Sequence, residues 1–160
     1  MKAHEPIKYS IDMTEQMCKG HLADLTDAEM LHRPAPACNH INWQLGHLIV
    51  AEHNLIAKEF PSALPPLPAG FAEKYTKETA KLDDPKAFAT KAELLEVHQK
   101  QRAAALAALD KTTDAELGRA LEGWTPNVGG LFLAASGAHW MMHLGQWSVI
   151  RRQLGRPPMF

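Results

Sequence analysis

The sequence predicts an all-α protein, a four-helix bundle with a long crossover connection after the second helix. Four segments carry apolar residues at intervals of three and four, the period of an amphipathic helix. No stretch alternates apolar and polar residues for long enough to predict a strand. The chain has 160 residues, of which 46% are hydrophobic, and this suits one core. Residues 1–160 are therefore expected to form a single domain.

The first two predicted helices lie on either side of a proline-bearing stretch, HRPAPAC. The first runs from about Ser10 to Leu25, with apolar residues at helical spacing among charged ones. Asn39 stands where an N-cap is expected, ahead of the segment HINWQLGHLIVAEHNLIAKEF. The second helix is thus predicted to end at about Phe60.

A long connection and two further helices complete the predicted bundle. The connection spans roughly residues 61–88 and begins with PSALPPLPAG, whose prolines cannot continue a helix. Its length predicts a segment that is functional or partly structured. The segment 91–110, rich in Ala, Leu, Glu, Lys and Gln, predicts the third helix. The last helix is predicted from about Gly130 to Gln153, with Gly155 as its C-terminal cap.

Charge and composition argue against several classes of partner. Lys and Arg number 17 against 18 for Asp and Glu, so no basic surface is predicted for nucleic acid or an anionic membrane. The passage from Gly123 to Ile150 lacks charged residues, which raises the question of a membrane span. It contains Pro126, Asn127 and two histidines, and the other helices are amphipathic. A helix buried in the bundle is the better interpretation.

The N-terminus and the cysteines predict a cytoplasmic protein. MKAHEPIKYS has neither the apolar run of a signal peptide nor the arginine-rich character of a transit sequence. Cys18 and Cys38 are too few for a disulfide framework and have no spacing typical of a zinc site. Both are predicted to be reduced thiols.

His139 and His143 are the first candidate metal ligands. They lie four residues apart, so on a helix both imidazoles project from one face, one turn apart. Nine histidines make one such pair unsurprising by chance, so its weight comes from its position on a stripe predicted to face the core. The stripe also contains Phe132, Ser136, Gln146 and Ile150. Two adjacent buried imidazoles need several partners, and a shared cation satisfies both.

A third ligand is expected from the second helix. His47 sits near its middle among apolar residues and is the best placed to meet the last helix in the interior. His40, in the first turn and predicted to be more exposed, and His53, on another face, remain alternatives. The pattern differs from that of the zincin proteases, because Trp140 occupies the position of their catalytic glutamate.

The segments NWQLGHL and HWMMHLGQWSVIRRQLGRPP resemble the DinB-like superfamily. That family closes with a His, three residues, a second His, then Gly-Gln and a basic pair before Leu-Gly and proline, and the resemblance extends over almost the whole chain. It implies a four-helix bundle, commonly a homodimer, with a divalent metal held by three histidines. The matching positions here are His47, His139 and His143.

Three neutral imidazoles would leave open coordination positions, as in a catalytic centre. Imidazole accepts zinc, nickel, iron and copper alike, so the expected cofactor is a divalent ion such as zinc, nickel or iron. The resemblance implies a low-molecular-weight thiol as cosubstrate, since some members are thiol S-transferases. The sequence thus predicts a metal-dependent enzyme that activates a thiol or water toward a small electrophilic substrate. Gln146 is expected to hydrogen-bond near the metal or to contact substrate. The alternative is a non-catalytic bundle whose metal or ligand serves a structural, sensing or stress-response role.

Overall fold

The computed structural model describes residues 3–157 and contains four long helical segments, as predicted. In chain order these are α1 (His4–Leu22), α2 (Ile41–Glu59), α3 (Lys91–Lys111) and a composite last helix, residues 128–153. The last helix consists of α5 (Val128–Phe132), a π-helical turn (Leu133–Ala138) and α6 (His139–Gln153). A single turn, α4 (Asp114–Leu117), follows α3. No strand forms within residues 3–157, and Ala120 and Asn127 make one isolated bridge.

Two helix boundaries differ from the prediction. Helix α1 begins at His4 and ends at Leu22, rather than running from Ser10 to Leu25. Pro6 hides this early start in the sequence, but a proline is tolerated in a first turn because amides there have no helical partner.

The N-cap of α2 is His40 and not Asn39, because the His40 ring nitrogen Nδ1 accepts the backbone N–H of Trp43 at 3.1 Å. His40 is also fully buried, so its predicted exposure is wrong.

Local capping explains where the other helices begin and end. Helix α3 starts with a capping box, in which Thr90 and Glu93 satisfy each other's backbone amides. Asn127 caps α5 by accepting the N–H of Gly130 at 2.8 Å. At the other end, Gly155 has φ of +69°, the left-handed conformation of a helix-terminating glycine. The predicted cap at Gly155 is therefore confirmed.

The connection between α2 and α3 is partly structured, with three short 3-10 helices at Ala72–Tyr75, Thr79–Lys81 and Pro85–Ala87. Its Tyr75 is buried against α2 at Gly46, where an added Cβ would lie 2.3 Å from the ring. Glycine next to His47 thus lets the connection pack closely on α2. Tyr75 is fixed in turn, because its hydroxyl accepts the backbone N–H of Ala89.

The core consists of two apolar clusters with polar residues between them. One cluster includes Leu45, Leu94 and Trp147, and the other includes Ile11, Ile56 and Phe132. Along each of the four helical segments, buried polar side chains lie between residues of the two clusters. These are Thr14, Glu52, His98, Gln101, Arg102 and Ser136. The bundle therefore has a polar layer across its middle, which positions the features described next.

Candidate metal centre

His47, His139 and His143 converge on one point between α2 and α6. Each offers a ring nitrogen, and these three nitrogens all lie within 4.8 Å of one another. The Nε2 atoms of His139 and His143 are 3.3 Å apart. Two nitrogens bound to zinc at about 2.1 Å in tetrahedral geometry would be separated by about 3.4 Å. The spacing of the α6 pair therefore suits a shared ion.

The three rings of this histidine cluster are neutral near pH 7. Burial lowers the pKa of His47, and the charge of His139 lowers it further. Burial also lowers the pKa of His139, against an opposing effect of Glu52. For His143, burial and the other two rings lower the pKa to about 4. Neutral imidazole is the form that coordinates metal, so the cluster presents lone pairs without proton competition at neutral pH.

Gln44 fixes the tautomer of His143. Its Oε1 lies 2.8 Å from His143 Nδ1 and also accepts the indole N–H of Trp147 at 3.0 Å. Its Nε2 donates to the carbonyl of Asn39, which fixes the amide orientation. Because an amide oxygen only accepts, the proton of neutral His143 must be on Nδ1. The Nε2 lone pair is thus directed toward His139 and available to an ion.

His47 is oriented by Trp43 and by the connection. The two rings stack with centroids 4.9 Å apart and planes 5° from parallel. The Trp43 indole N–H donates to the carbonyl of Thr76 at 3.1 Å and to the hydroxyl of Thr79 at 3.2 Å. The segment that follows the prolines therefore holds the ring against which His47 rests.

The alternative ligands on α2 have other partners. His40 accepts from Trp43 through Nδ1 and contacts the carbonyl of Leu82 through Nε2 at 3.3 Å, so both its nitrogens are used. His53 contacts Gln101 of α3 at 3.0 Å, away from the cluster. His47 is the α2 histidine that meets the pair on α6.

The position of Gln146 differs from the prediction. Its side chain is exposed, and among residues 3–157 no hydrogen bond joins it to the cluster. The predicted hydrogen bond to a ligand is therefore absent, and Gln44 has that role instead. Gln44 was recognisable in the sequence as a residue on the same helical face as His47. Substrate contact by Gln146 stays a prediction.

The physical reason for the exposure of Gln146 is the π-turn. The N–H of His139 bonds to the carbonyl of Ala134, five residues back, so the helix takes up one extra residue. Side chains beyond it are rotated by about 100° from an uninterrupted α-helix. The fully buried positions accordingly include Trp140, Leu144 and Trp147, each one residue later than a member of the predicted stripe, while Ile150 of that stripe is buried as predicted. His139 and Gln146 move to the edge of the core, where His139 is half-buried.

A buried polar network adjoins the cluster and consists of six residues: Glu15, Glu52, His98, Arg102, Ser136 and Trp140. Glu52 accepts the Trp140 indole N–H at 2.7 Å and the Ser136 hydroxyl at 3.1 Å. Arg102 pairs with Glu52, Nη2 to Oε2 at 3.1 Å, and its guanidinium stacks over Trp140.

At the α1 side of the network, Glu15 pairs with His98 at 2.7 Å. Burial opposes ionisation of Glu15, but hydrogen bonds from His98 and Lys19 and the charges of His98 and Arg102 hold its pKa at about 2. The carboxylates of this network are thus matched by cations or donors, and sequence periodicity did not identify them as a group.

The DinB superfamily profile matches residues 10–147. The chain belongs to the DinB superfamily. Its fold is similar to that in the crystal structure of a conserved protein from Enterococcus faecalis, with a TM-score of 0.76 and 23% identity over 98% of this chain and 99% of that chain. At that identity the likeness supports the DinB fold alone. No curated protein matches the chain.

Three further observations concern parts of this DinB superfamily chain away from the histidine cluster. A cavity of about 510 Å³ lies between the proline-bearing part of the connection and α3, lined by Pro65, Phe71 and Val97 but by none of the three histidines. Among residues 3–157, no helix is both long and apolar enough to cross a membrane. Both cysteines are free, with Cys18 buried and Cys38 exposed.

Proposed function

We propose that the chain is a divalent-metal-dependent enzyme that activates a thiol or water for transfer to a small electrophilic substrate. The observation that carries this proposal is the convergence of three neutral imidazole nitrogens at a half-buried site with no carboxylate among them. Such a donor set fits zinc, nickel or iron and leaves an ion's double charge uncompensated. His47, His139 and His143 would hold the ion.

The proposed division of roles follows from each residue's contacts. A divalent ion, when bound, supplies Lewis-acid chemistry that favours the deprotonated form of a water or thiol. Gln44 keeps the proton of His143 on Nδ1, and Trp43 keeps the ring of His47 in place. Gln146, exposed one turn from His143, is the proposed contact for a small substrate or a low-molecular-weight thiol.

Turnover tests the catalytic part of the proposal. Protein loaded with zinc, nickel or iron is mixed with a low-molecular-weight thiol and an electrophile such as a chlorodinitrobenzene, and conjugate formation is followed by absorbance. The proposal expects turnover that is lost in His143→Ala and unchanged in Cys38→Ser, which lacks the exposed thiol. Hydrolysis of an activated ester is the matching assay for water as nucleophile. Absence of turnover in both assays, with metal bound, would favour the alternative.

The alternative is a non-catalytic metal-binding or ligand-binding bundle with a structural, sensing or stress-response role. One observation favours it: Glu52, the carboxylate that acts on His139 through its charge, is already engaged by Ser136, Trp140 and Arg102. It is therefore not free as a general base. A metal-dependent rise in melting temperature without turnover is the result expected for this role.

We also propose a homodimer in the cytoplasm, formed through α6. Its outer face presents Met142 and Val149, 58% and 48% exposed, with Ala138 and Gly145 on the same uncharged stripe. A second copy offers the same stripe, so the two would pair symmetrically. Light scattering with size-exclusion chromatography is expected to give twice the chain mass, and half that mass for Met142→Lys. A monomeric wild type would contradict the proposal.

A further inference from the structure

The location of the π-turn decides whether His139 lies beside both His47 and His143, so that all three can share an ion. Within α6 they are separated by one regular turn and project from the same face. If the extra residue were taken up between them, with His143 in place, the His139 side chain would be turned by about 100° about the helix axis, to the other side of His143 and away from its present position beside His47. A helix can accommodate its extra residue at different positions along its length. Specific contacts must therefore keep the π-turn at Leu133–Ala138.

Contacts from three other helices meet at one residue of the π-turn, Ser136, which is fully buried. Its carbonyl accepts an N–H from Nη1 of Arg102 at 2.9 Å and lies 3.1 Å from the hydroxyl of Thr14, which it shares with the carbonyl of Ile11 at 2.8 Å. Its own hydroxyl donates to Glu52 at 3.1 Å. A carbonyl in a regular helix bonds the amide four residues on, whereas a widened turn leaves carbonyls free for side-chain donors. The donors from Arg102 and Thr14 therefore suit a π-turn at this position.

Glu52 extends the attachment to the first turn of α6. Its second carboxylate oxygen accepts the Trp140 indole N–H at 2.7 Å, next to His139. Arg102 holds Glu52 by an ion pair and covers the Trp140 ring, with its guanidinium carbon 4.6 Å from the ring centroid. Arg102 thus contacts the π-turn, the carboxylate and the indole that fix both ends of this segment.

We infer that Arg102 is a positioning residue for the metal centre: it keeps the π-turn ahead of His139, so that His139 and His143 both face His47. The inference rests on the proposed metal site, and Arg102 itself does not touch the ion. A merely structural role would predict only a loss of stability when Arg102 is replaced. The positioning role predicts in addition a displaced π-turn and weaker metal binding in protein that remains folded.

Arg151 provides a matched control. It is likewise a buried arginine, on α6, and donates to a backbone carbonyl, that of His21, and to Asp24. Arg151→Met should therefore lower stability to a similar degree as Arg102→Met, without any contact at the π-turn. Arg102→Lys keeps the charge and a donor and is the conservative variant.

The experiment compares Co²⁺ affinity and the visible Co²⁺ spectrum in wild type, Arg102→Met, Arg102→Lys and Arg151→Met. Arg102→Met should bind about tenfold more weakly, at the lower end of the range for residues that orient ligands, with an altered spectrum. Arg151→Met should bind like wild type, and Arg102→Lys should recover part of the affinity. Equal affinity of folded Arg102→Met and wild type would overturn the inference.

A deletion provides a rescue that a stabilising role does not predict. Ala138 is exposed and lies in the π-turn, so deleting it removes the extra residue and leaves a regular helix. In the Arg102→Met background this deletion should restore Co²⁺ affinity, because no π-turn is left to move. Failure of the rescue in a folded double variant would contradict the inference.

Two measurements keep the test decisive in difficult cases. If Arg102→Met does not fold, Thr14→Val removes the hydroxyl that the carbonyls of Ser136 and Ile11 share, and it should weaken Co²⁺ binding about threefold. No weakening would then overturn the inference. If wild type does not bind Co²⁺, the proposed function fails instead. The Cα chemical shifts of residues 133–143 in metal-free protein still report whether Arg102→Met, or Thr14→Val in its place, moves the π-turn.

Discussion

The histidine cluster and the buried polar network both contain histidine within the same bundle, but they differ in how many of their polar atoms have a partner within the protein. In the network, His98 pairs with Glu15, and Glu52 is matched by Arg102, Ser136 and Trp140. In the cluster, His143 has a fixed partner on one nitrogen only, and its other nitrogen faces another imidazole. A set of buried residues whose polar atoms are paired with one another stabilises the fold. A set whose ring nitrogens keep free lone pairs is suited to bind an external ion.

The cluster and the network also differ in their exposure to solvent. Glu52, His98 and Arg102 are all buried, at the junction of the two apolar clusters. His47 and His139 are half-buried at the edge of the core. The network is thus shielded from solvent, while the cluster can exchange an ion and meet a substrate. Replacements in the two groups should therefore have different consequences.

The largest expected effect is the loss of metal binding in His143→Ala. Removing one of three ligands should weaken Co²⁺ or Zn²⁺ binding by more than about 100-fold, beyond the range for residues that only orient ligands. His98→Ala is the matched control, a buried histidine of the network that bonds to Glu15 and not to Ser136; it should lower the melting temperature and change metal affinity far less than His143→Ala. Isothermal titration calorimetry checks both. Comparable losses of affinity in the two variants would remove the distinction between the groups.

Gln44→Leu should have the next largest effect. It removes the acceptor that holds the His143 proton on Nδ1, so metal affinity should fall by about 10-fold to 100-fold. Gln146→Leu, at an exposed position on the same side of the bundle, should change metal affinity less than about twofold. Competition with a chromophoric chelator measures both constants. A larger effect at Gln146 than at Gln44 would restore the role that the sequence assigned to Gln146.

The smallest expected effect is on the pH dependence of stability, which should separate the two groups. The pKa of Glu15 is held at about 2, below its ordinary 4.5, so its contribution is complete above about pH 4.5 and is lost as the pH falls toward 2. The pKa of His143 is lowered to about 4 from 6.5, because the folded protein keeps this ring neutral. The unfolded chain takes up the proton at a higher pH, so the folded state loses stability as the pH falls from 6.5 to 4.

Urea unfolding of metal-free protein at a series of pH values resolves these two ranges. Glu15→Gln should flatten the curve below about pH 4.5 only, and His143→Ala should make it less steep between about pH 6.5 and 4, where His40, whose pKa is also lowered to about 4 by burial, still contributes. The same change in both variants across the whole range would show that the two groups titrate as one unit.

The sequence predicted the helices well because their periodicity is local. Apolar spacing located α2, α3 and the last helix, and the histidine spacing located the pair on α6. Two local features escaped it: Pro6 concealed the first turn of α1, and the ring of His40 took the capping position assigned to Asn39.

The side-chain environment around the candidate site was harder to predict than the ligands. The π-turn changes the phase of the last helix by one residue, and nothing in the local spacing of residues 128–153 indicates where the extra residue is taken up. Gln146 was therefore expected on the buried side. The partners of Glu52 and Arg102 come from other helices, and their pairing depends on tertiary packing that one sequence does not reveal.

Metal analysis of the purified chain tests the central claim most directly. Protein prepared without an affinity tag is passed through a desalting column, and its metal content is measured by plasma mass spectrometry in wild type and in His47→Ala, His139→Ala and His143→Ala. We predict about one divalent ion per chain in wild type and a substoichiometric amount in each variant. Wild type that holds no ion, and that takes up none when zinc, nickel or iron is supplied, would contradict the account.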